Sequence, residues 1–574
     1  MGTGKREFHT EKQLDYLKIF LIVVIIILAG FTVYLLYDFF AENYKDQSNE
    51  LSNTQNDVKL NEEKENKEKT FDQMIQESGY ALKEKVSDNL AYLEKDGKEF
   101  TIYSNGDIWT ERITPWNGQS SKPAIDEAGN INIYTPEELK WVADQVISGA
   151  KNFAGVTITL RKDLDLGAVK NKDGNWEGNK WTPIVGFLDE LPPKEGETPI
   201  IDDSQVPQDG SVNVTKENLK RFAGVFNGNG FSIRGINVDQ NKRYQGLFGY
   251  NDGIITNLTI SNSSIKGDNG IGAVAGLNSG TIQNCNIRDV EVQGNEKVGG
   301  IVGISMENST IENSNSTDER ADVIGNKYVG GIVGYLNNNN IIKTSFNKAD
   351  VHGKEYVGGI TGIAFYGTTI ENASNYAKVI EGEKYVGGLA GYSAATIAHS
   401  KNYDKLNKNA VVEGNDYVGG LVGLNYQMGN ISSSYNFGNI ICKNDNCGGI
   451  AGLNNGNITN TYNHGGISAE NPKAIRVGGI CGQNLSQSFI YTSYNVGIIK
   501  ANRAHGLVGA NFGETNNCFY LDTSLKIDEE NKENAKIESD MKENILTNLG
   551  PEFKKDEENL NQGYPVLVWQ RAEV

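Results

Sequence analysis

Read from the amino terminus, the first strong feature is an apolar run without a charge, Ile19 to Tyr37 (IFLIVVIIILAGFTVYLLY). As a helix rising 1.5 Å per residue it covers about 28 Å, close to the ~30 Å hydrocarbon core of a bilayer, so it predicts one transmembrane helix over 19–37. Residues 38–79 are then dominated by Glu, Lys, Asn, Asp and Gln, with too few apolar positions for a core, and predict a flexible or helical stalk. Apolar positions return in 80–129, with Phe100, Ile102, Tyr103, Ile108 and Trp109 around the turn signal Asn105-Gly106, as expected of a small strand-containing linker. From residue 130 a helix start is spelled out: Thr135 as N-cap, Pro136 at the first helical position and Glu138 completing a capping box. Leu139, Val142, Val146 and Ile147 give that helix an apolar stripe. GVTITLRKDLDLG after it reads as a strand and turn, and FAGVFNGNGFSIRGINV as a hairpin-like lead-in, so 130–240 is expected to form an N-terminal cap and entry to a larger repetitive region.

From residue 241 the chain repeats. GLFG ends at Gly249, AVAG at Gly276, GIVG at Gly303 and Gly334, GITG at Gly362, GLAG at Gly391, GLVG at Gly423, GIAG at Gly452, GICG at Gly482 and GLVG at Gly509. The ten copies recur every 27 to 32 residues, each with short Ile/Val-rich segments between Gly and Asn turns and no helical periodicity. Such a unit cannot bury a core alone and must stack on its neighbours, which predicts a parallel β-helix over 241–519 with three-sided coils. At about 4.8 Å per coil, ten repeats would make a rod on the order of 50 Å long. A second register runs alongside the first. Five residues after Ile342, Ile370, Ile397, Ile431, Ile458 and Ile490 stands Asn347, Asn375, Asn402, Asn436, Asn463 and Asn495. Amides carry donor and acceptor together, so a stacked column of them is expected to bond along the axis. The repeat is abandoned over 520–574, whose last apolar group, Tyr564 to Trp569, is expected to close the far end as a C-terminal cap.

Charge fixes orientation and narrows the partners. Lys5, Arg6, Lys12 and Lys18 precede the apolar run and acidic residues dominate after it, so the positive-inside rule makes 1–18 a cytoplasmic tail. The arrangement is then a single-pass type II protein of the cell membrane with its C-terminal region extracellular. A cleaved signal peptide fits less well, because the apolar core is long and Asp38-Phe39-Phe40-Ala41-Glu42 is unlike a cleavage site. A formal net charge of −19 argues against nucleic acid as a partner. Five cysteines form no CxxC pair and are expected as small apolar core residues, although Cys442 and Cys447 are close enough to bridge in an oxidising compartment.

Six residues before the repeat Gly, four successive coils carry Tyr328, Tyr356, Tyr385 and Tyr417. Stacking would align them as an aromatic strip, a candidate surface for sugar rings or a partner's apolar face, or else a ladder that steadies neighbouring strands. Catalysis is not expected. Acidic residues before each VGG vary from coil to coil without a compact Asp cluster, and the periodic Asp of calcium-binding repeats is absent, so no cofactor or metal is read in.

The GLFG, GLAG and GLVG strings, together with TPEELKWVAD, LRKDLDLG, WTPIVG, FNGNGFSIRGI and GYPVLVWQ, resemble the GLUG-motif surface proteins of bacteria over roughly residues 130 to 570. The resemblance implies an all-β fold, a right-handed parallel β-helix at the cell surface, commonly with an adhesive or scaffolding role. Similar repeats accompany the protease domain of some immunoglobulin A-cleaving zinc metallopeptidases. Their chemistry needs HExxH, and His9, His352, His399, His464 and His505 supply no such pair, so no catalytic residue carries over. The expected function is a membrane-anchored surface binding or adhesion protein for a glycan or an extracellular protein. A spacer or subunit of an envelope assembly is the first alternative, and a polysaccharide-active β-helix enzyme the second.

Overall fold

The computed structural model describes residues 70–571 except 105, 107, 110, 172, 185–219, 406–409 and 526–533. The expected cytoplasmic tail, the apolar run 19–37 and the stalk as far as residue 69 therefore lie outside the described residues. Among the described residues no helix is long and apolar enough to cross a membrane. Two compact units divide the chain at Arg112 and Ile113.

In the first unit, helix α1 (Phe71–Glu77) opens on a capping box in which Gln73 N–H donates to Thr70 Oγ1 and Thr70 N–H to Gln73 Oε1. The strands β1 (Ala81–Ser87), β2 (Leu90–Lys95), β3 (Lys98–Tyr103) and β4 (Ile108–Trp109) form an antiparallel meander. Phe71, Met74 and Ile75 share one face of α1 and pack with Ala91, Leu93, Phe100 and Ile102. The tail of the expected stalk is thus part of a folded unit, because three apolar residues recur there at helical spacing. The linker segment also stops short of its expected end: Trp116 is already buried in the core of the second unit.

That second unit is a parallel β-solenoid. One column of strands runs by parallel pairing from Ile131–Ile133 through Thr157–Leu160, Val225–Asn227 and every following repeat to Glu514–Asn516. Its central residues, such as Ile158, Ile282, Ile370 and Ile458, are fully buried. The expected three strands per turn hold in some turns, such as Ile254–Lys266, Asn269–Gly272 and Ala275–Asn278, while the middle turns between 310 and 393 are divided into five. In one turn these are Ile341–Lys343, Phe346–Asn347, Asp350–His352, Glu355–Gly358 and Thr361–Ala364. Positive-φ residues recur at fixed places in the turn, for example Thr344 (50°) after the first strand and Tyr356 (58°) inside the fourth. The segment expected as a hairpin-like lead-in is instead a full turn. Its strands Val225–Asn227, Ser232–Arg234 and Asn237–Asp239 all pair in parallel with Ile254–Lys266, because each short strand finds its partner one turn away and not across its own loop.

Helix α2 (Pro136–Ser148) forms as its caps specify: Thr135 Oγ1 accepts from Glu138 N–H, and Gly149 ends the helix at φ 77°. Leu139, Val142, Ala143 and Val146 are buried in the same core as Ile131 and Ile133, so α2 covers the first turn. At the other end Tyr520 takes the place after Asn495, and its ring lies where a Cβ on Gly506 would have to stand. Only the first part of the expected C-terminal cap lies at this end, where Leu525 and Ala535 pack against the core; Tyr564 to Trp569, expected to close it, lie on the flank. After a last pairing of Tyr520–Leu521 with Ala535–Lys536, the chain from 538 to 571 returns along the flank of the solenoid.

Cysteine burial follows the expectation of small core residues. Cys285, Cys481 and Cys518 are buried, which pushes their thiols up to about 12 and leaves them unreactive. Cys442 and Cys447 form a disulfide with Cα atoms 6.1 Å apart. In the preceding turn their places are held by Gly414 and Val418, and a Cβ on Gly414 would stand 2.8 Å from a Val386 methyl and 3.0 Å from a Val418 methyl.

Candidate functional site

The six asparagines in register form one hydrogen-bonded file inside the solenoid. Asn347 Nδ2 donates to Asn375 Oδ1 (3.1 Å), Asn375 to Asn402 (2.9 Å), Asn402 to Asn436 (2.8 Å), Asn436 to Asn463 (2.7 Å) and Asn463 to Asn495 (2.8 Å). Five of the six, Asn347, Asn375, Asn436, Asn463 and Asn495, also bond within their own corner. Asn436 Nδ2 donates to Gly438 O at 2.9 Å and its Oδ1 accepts from Gly438 N–H at 3.0 Å. All of them are buried and each is hydrogen-bonded along the file, so its role is structural. A second file was not expected from the sequence: Asn251 to Asn278 (2.7 Å), then Asn425 to Asn454 (2.7 Å), Asn484 (2.8 Å) and Asn511 (2.9 Å). Its signal is asparagine two residues after the repeat Gly, interrupted in the middle turns by Ser305, Leu336, Ala364 and Ser393. Replacing Asn436 with Ala removes hydrogen bonds to Asn402, Asn463 and Gly438 inside the core and is expected to cost about 3 kcal/mol. Urea unfolding measures it, and a loss under about 1 kcal/mol would mean that the file is not a main support.

Tyr328, Tyr356, Tyr385 and Tyr417 do stack, with ring centroids 5.2, 4.8 and 4.9 Å apart. They do not form an exposed strip. Tyr328, Tyr356 and Tyr385 keep only 4%, 2% and 5% of their surface, and Tyr417 is partly buried. The physical reason is their backbone. All four have φ of 57° or 58°, which breaks the alternation of the strand and buries both the tyrosine and the valine after it, on opposite sides. The rings meet a second file from the residue after each repeat Gly, as in the edge-on contact of Tyr328 with Tyr335 at 5.6 Å. Lys327 and Lys384 lie over the rings, 5.2 Å from Tyr328 and 4.9 Å from Tyr385. With its faces covered, this column acts as the strand-steadying ladder and has no face to offer a sugar. Burial pushes the Tyr328 hydroxyl well above its ordinary range.

A further aromatic file occupies the flank. Tyr435, Tyr462 and Tyr494 stack 5.0 and 5.2 Å apart with planes within 7° of parallel. The returning C-terminal segment covers them. Trp569 stacks on Tyr435 at 5.6 Å and its Nε1 donates to Ser433 O at 2.8 Å, Tyr462 OH donates to Gln570 Oε1 at 2.8 Å, and Asn561 Nδ2 donates to Tyr494 OH at 2.7 Å. Asn561 Oδ1 also meets His464 Nδ1 at 2.6 Å, and burial lowers the pKa of that imidazole.

Some carboxylates separated in sequence do converge. Glu291, Asp322 and Asp350 pair rung to rung on the third strands. Burial and the neighbouring Asp350 raise the pKa of Asp322. Glu291 is engaged by Lys170, Lys266 and Trp176, and Asp350 Oδ1 accepts from Val379 N–H at 2.8 Å, so these two groups serve as braces. Among the described residues no group of His, Cys, Asp and Glu could hold a metal ion.

A stacked parallel β-solenoid braced by buried amide files is the class that this geometry defines. Residues 414–441 match the GLUG motif, and they span one turn, from the corner at Gly414 to the residue before its counterpart Cys442. Among solved structures, that of a putative immunoglobulin A1 protease from Bacteroides ovatus is similar at 15% sequence identity, covering 79% of this chain and 96% of that one with a TM-score of 0.28. At that level the likeness carries no argument about chemistry. None of the curated proteins matches the chain.

Proposed function

We propose that the chain is a surface-displayed binding protein, anchored by its apolar run 19–37 and serving adhesion to a glycan or an extracellular protein. The observation that supports this reading best is the parallel column from Ile131 to Asn516 with its buried, hydrogen-bonded amide file. Such a stack is stiff and presents its outward side chains in fixed rows, which suits display more than catalysis. The surroundings of Glu291 and Asp350, both tied up in bracing contacts, agree with a non-enzymatic role. The test uses cells that carry the full chain, applied to surfaces coated with polysaccharides or matrix proteins before and after protease shaving. Shaving is expected to remove the solenoid from intact cells and to abolish adhesion. A solenoid protected until lysis, or adhesion that survives its removal, would overturn the reading.

A further inference from the structure

On the outward face of the first strands, the last full turn differs from those before it. Phe489 and Tyr491 flank the buried Ile490, so both side chains point away from the core. Their rings lie 5.6 Å apart with planes at 45°, side by side on one face. Neither ring belongs to any of the buried clusters among the described residues, unlike the tyrosines of the two covered files. Phe489 and Tyr491 thus stand side by side on the outward face of the sheet, where no buried cluster requires them to be aromatic.

The rungs beside the pair narrow what could lie on it. Asn457 and Thr459 are the rung partners of Phe489 and Tyr491, and Asn430 and Ser432 are those of Asn457 and Thr459. All four are uncharged hydrogen-bonding side chains. On the other side Phe489 faces Glu514, whose carboxylate also accepts a hydrogen bond from the Tyr491 side chain and leaves the faces of both rings uncovered by it. We propose that Phe489 and Tyr491, with the amide and hydroxyl rows of the two preceding rungs, form a platform for a neutral polysaccharide lying along the solenoid axis. A pyranose offers an apolar C–H face to an aromatic ring and hydroxyls to amides at its rim. The rungs advance by about 4.8 Å, a step comparable to one sugar residue of an extended chain. An acidic polymer is disfavoured by Glu514 and by the net charge of −19.

This inference rests on the binding role proposed above, and its test separates the two. The full-length chain, purified in mild detergent, is passed over amorphous cellulose, chitin and immobilised polygalacturonate. The wild type is expected to be retained on at least one neutral polymer and to pass through polygalacturonate. Tyr491→Ser is expected to weaken retention about tenfold, Phe489→Ala by a similar factor and the double variant Phe489→Ala/Tyr491→Ala more, with the unfolding midpoint of Phe489→Ala unchanged because that ring supports no core and has no hydrogen bond to lose. Equal retention of wild type and all of these variants would overturn the platform while leaving the binding role intact. Passage of the wild type through both neutral polymers, or preference for polygalacturonate, would also overturn it, whereas adhesion that survives shaving would remove the broader reading.

Discussion

Gly420→Ala is expected to destabilise the solenoid by about 4 kcal/mol or more, far beyond what one methyl group suggests. Gly420 is the second glycine of a VGG segment, and a Cβ there would sit within the van der Waals envelope of the Gly449 carbonyl oxygen on one side and the Asn436 amide on the other. Neither can yield. Gly449 is backbone in the next turn, and Asn436 is held at both ends of its amide within the buried file. The same contact recurs between Gly331 and Asn347 and between Gly479 and Asn495. Two sequence registers, VGG and the asparagine five residues after an isoleucine, are therefore opposite sides of one close approach across the interior. Gly466→Ala is the control, because its nearest neighbour would be Asn439 Oδ1 at 3.1 Å. Urea unfolding of both variants decides the point. A drop for Gly420→Ala no larger than that for Gly466→Ala would show that the interior is softer than this geometry requires.

That pairing of registers explains why so much of the architecture is legible in the sequence. Repetition multiplies a weak local signal, and a column of amides is visible as long as every turn keeps the same spacing. The second file from Asn251 to Asn511 is hidden because four middle turns substitute Ser, Leu, Ala and Ser, and an interrupted column has no period to detect. The tyrosine column is hidden differently. Its position in the repeat is plain, but the side on which Tyr328, Tyr356 and Tyr385 fall depends on a left-handed backbone residue that alternation rules do not anticipate. Phe489 and Tyr491 are the converse case: their exposed side follows from plain alternation about Ile490, yet a single aromatic rung does not stand out in a sequence scanned for repeats. Residues 538–571 are recognisable as leaving the repeat, whereas their place on the flank depends on contacts more than 100 residues away, such as Tyr462 with Gln570.

Deleting residues 538–574 is accordingly expected to act on part of the solenoid only. The deletion strips Met541, Ile545, Leu549, Phe553 and Leu567, all buried, from the tyrosines beneath them. After the cost of ordering the segment is set against this burial, a loss on the order of 5 kcal/mol is expected. Because a solenoid is stabilised turn by turn, the loss should be local. Amide exchange should quicken in the covered turns, roughly 430 to 520, while turns before residue 345 keep their protection. Acidification should loosen the same contact in the intact chain. His464 is buried with a lowered pKa, so the unfolded state binds its proton first as the pH falls. Its contribution is complete above the unfolded value of about 6.5 and is lost as the pH falls from there through the lower folded value. His464→Asn should flatten that dependence. Exchange that quickens equally along the whole solenoid, or not at all, would mean that the C-terminal segment does not brace the turns it covers.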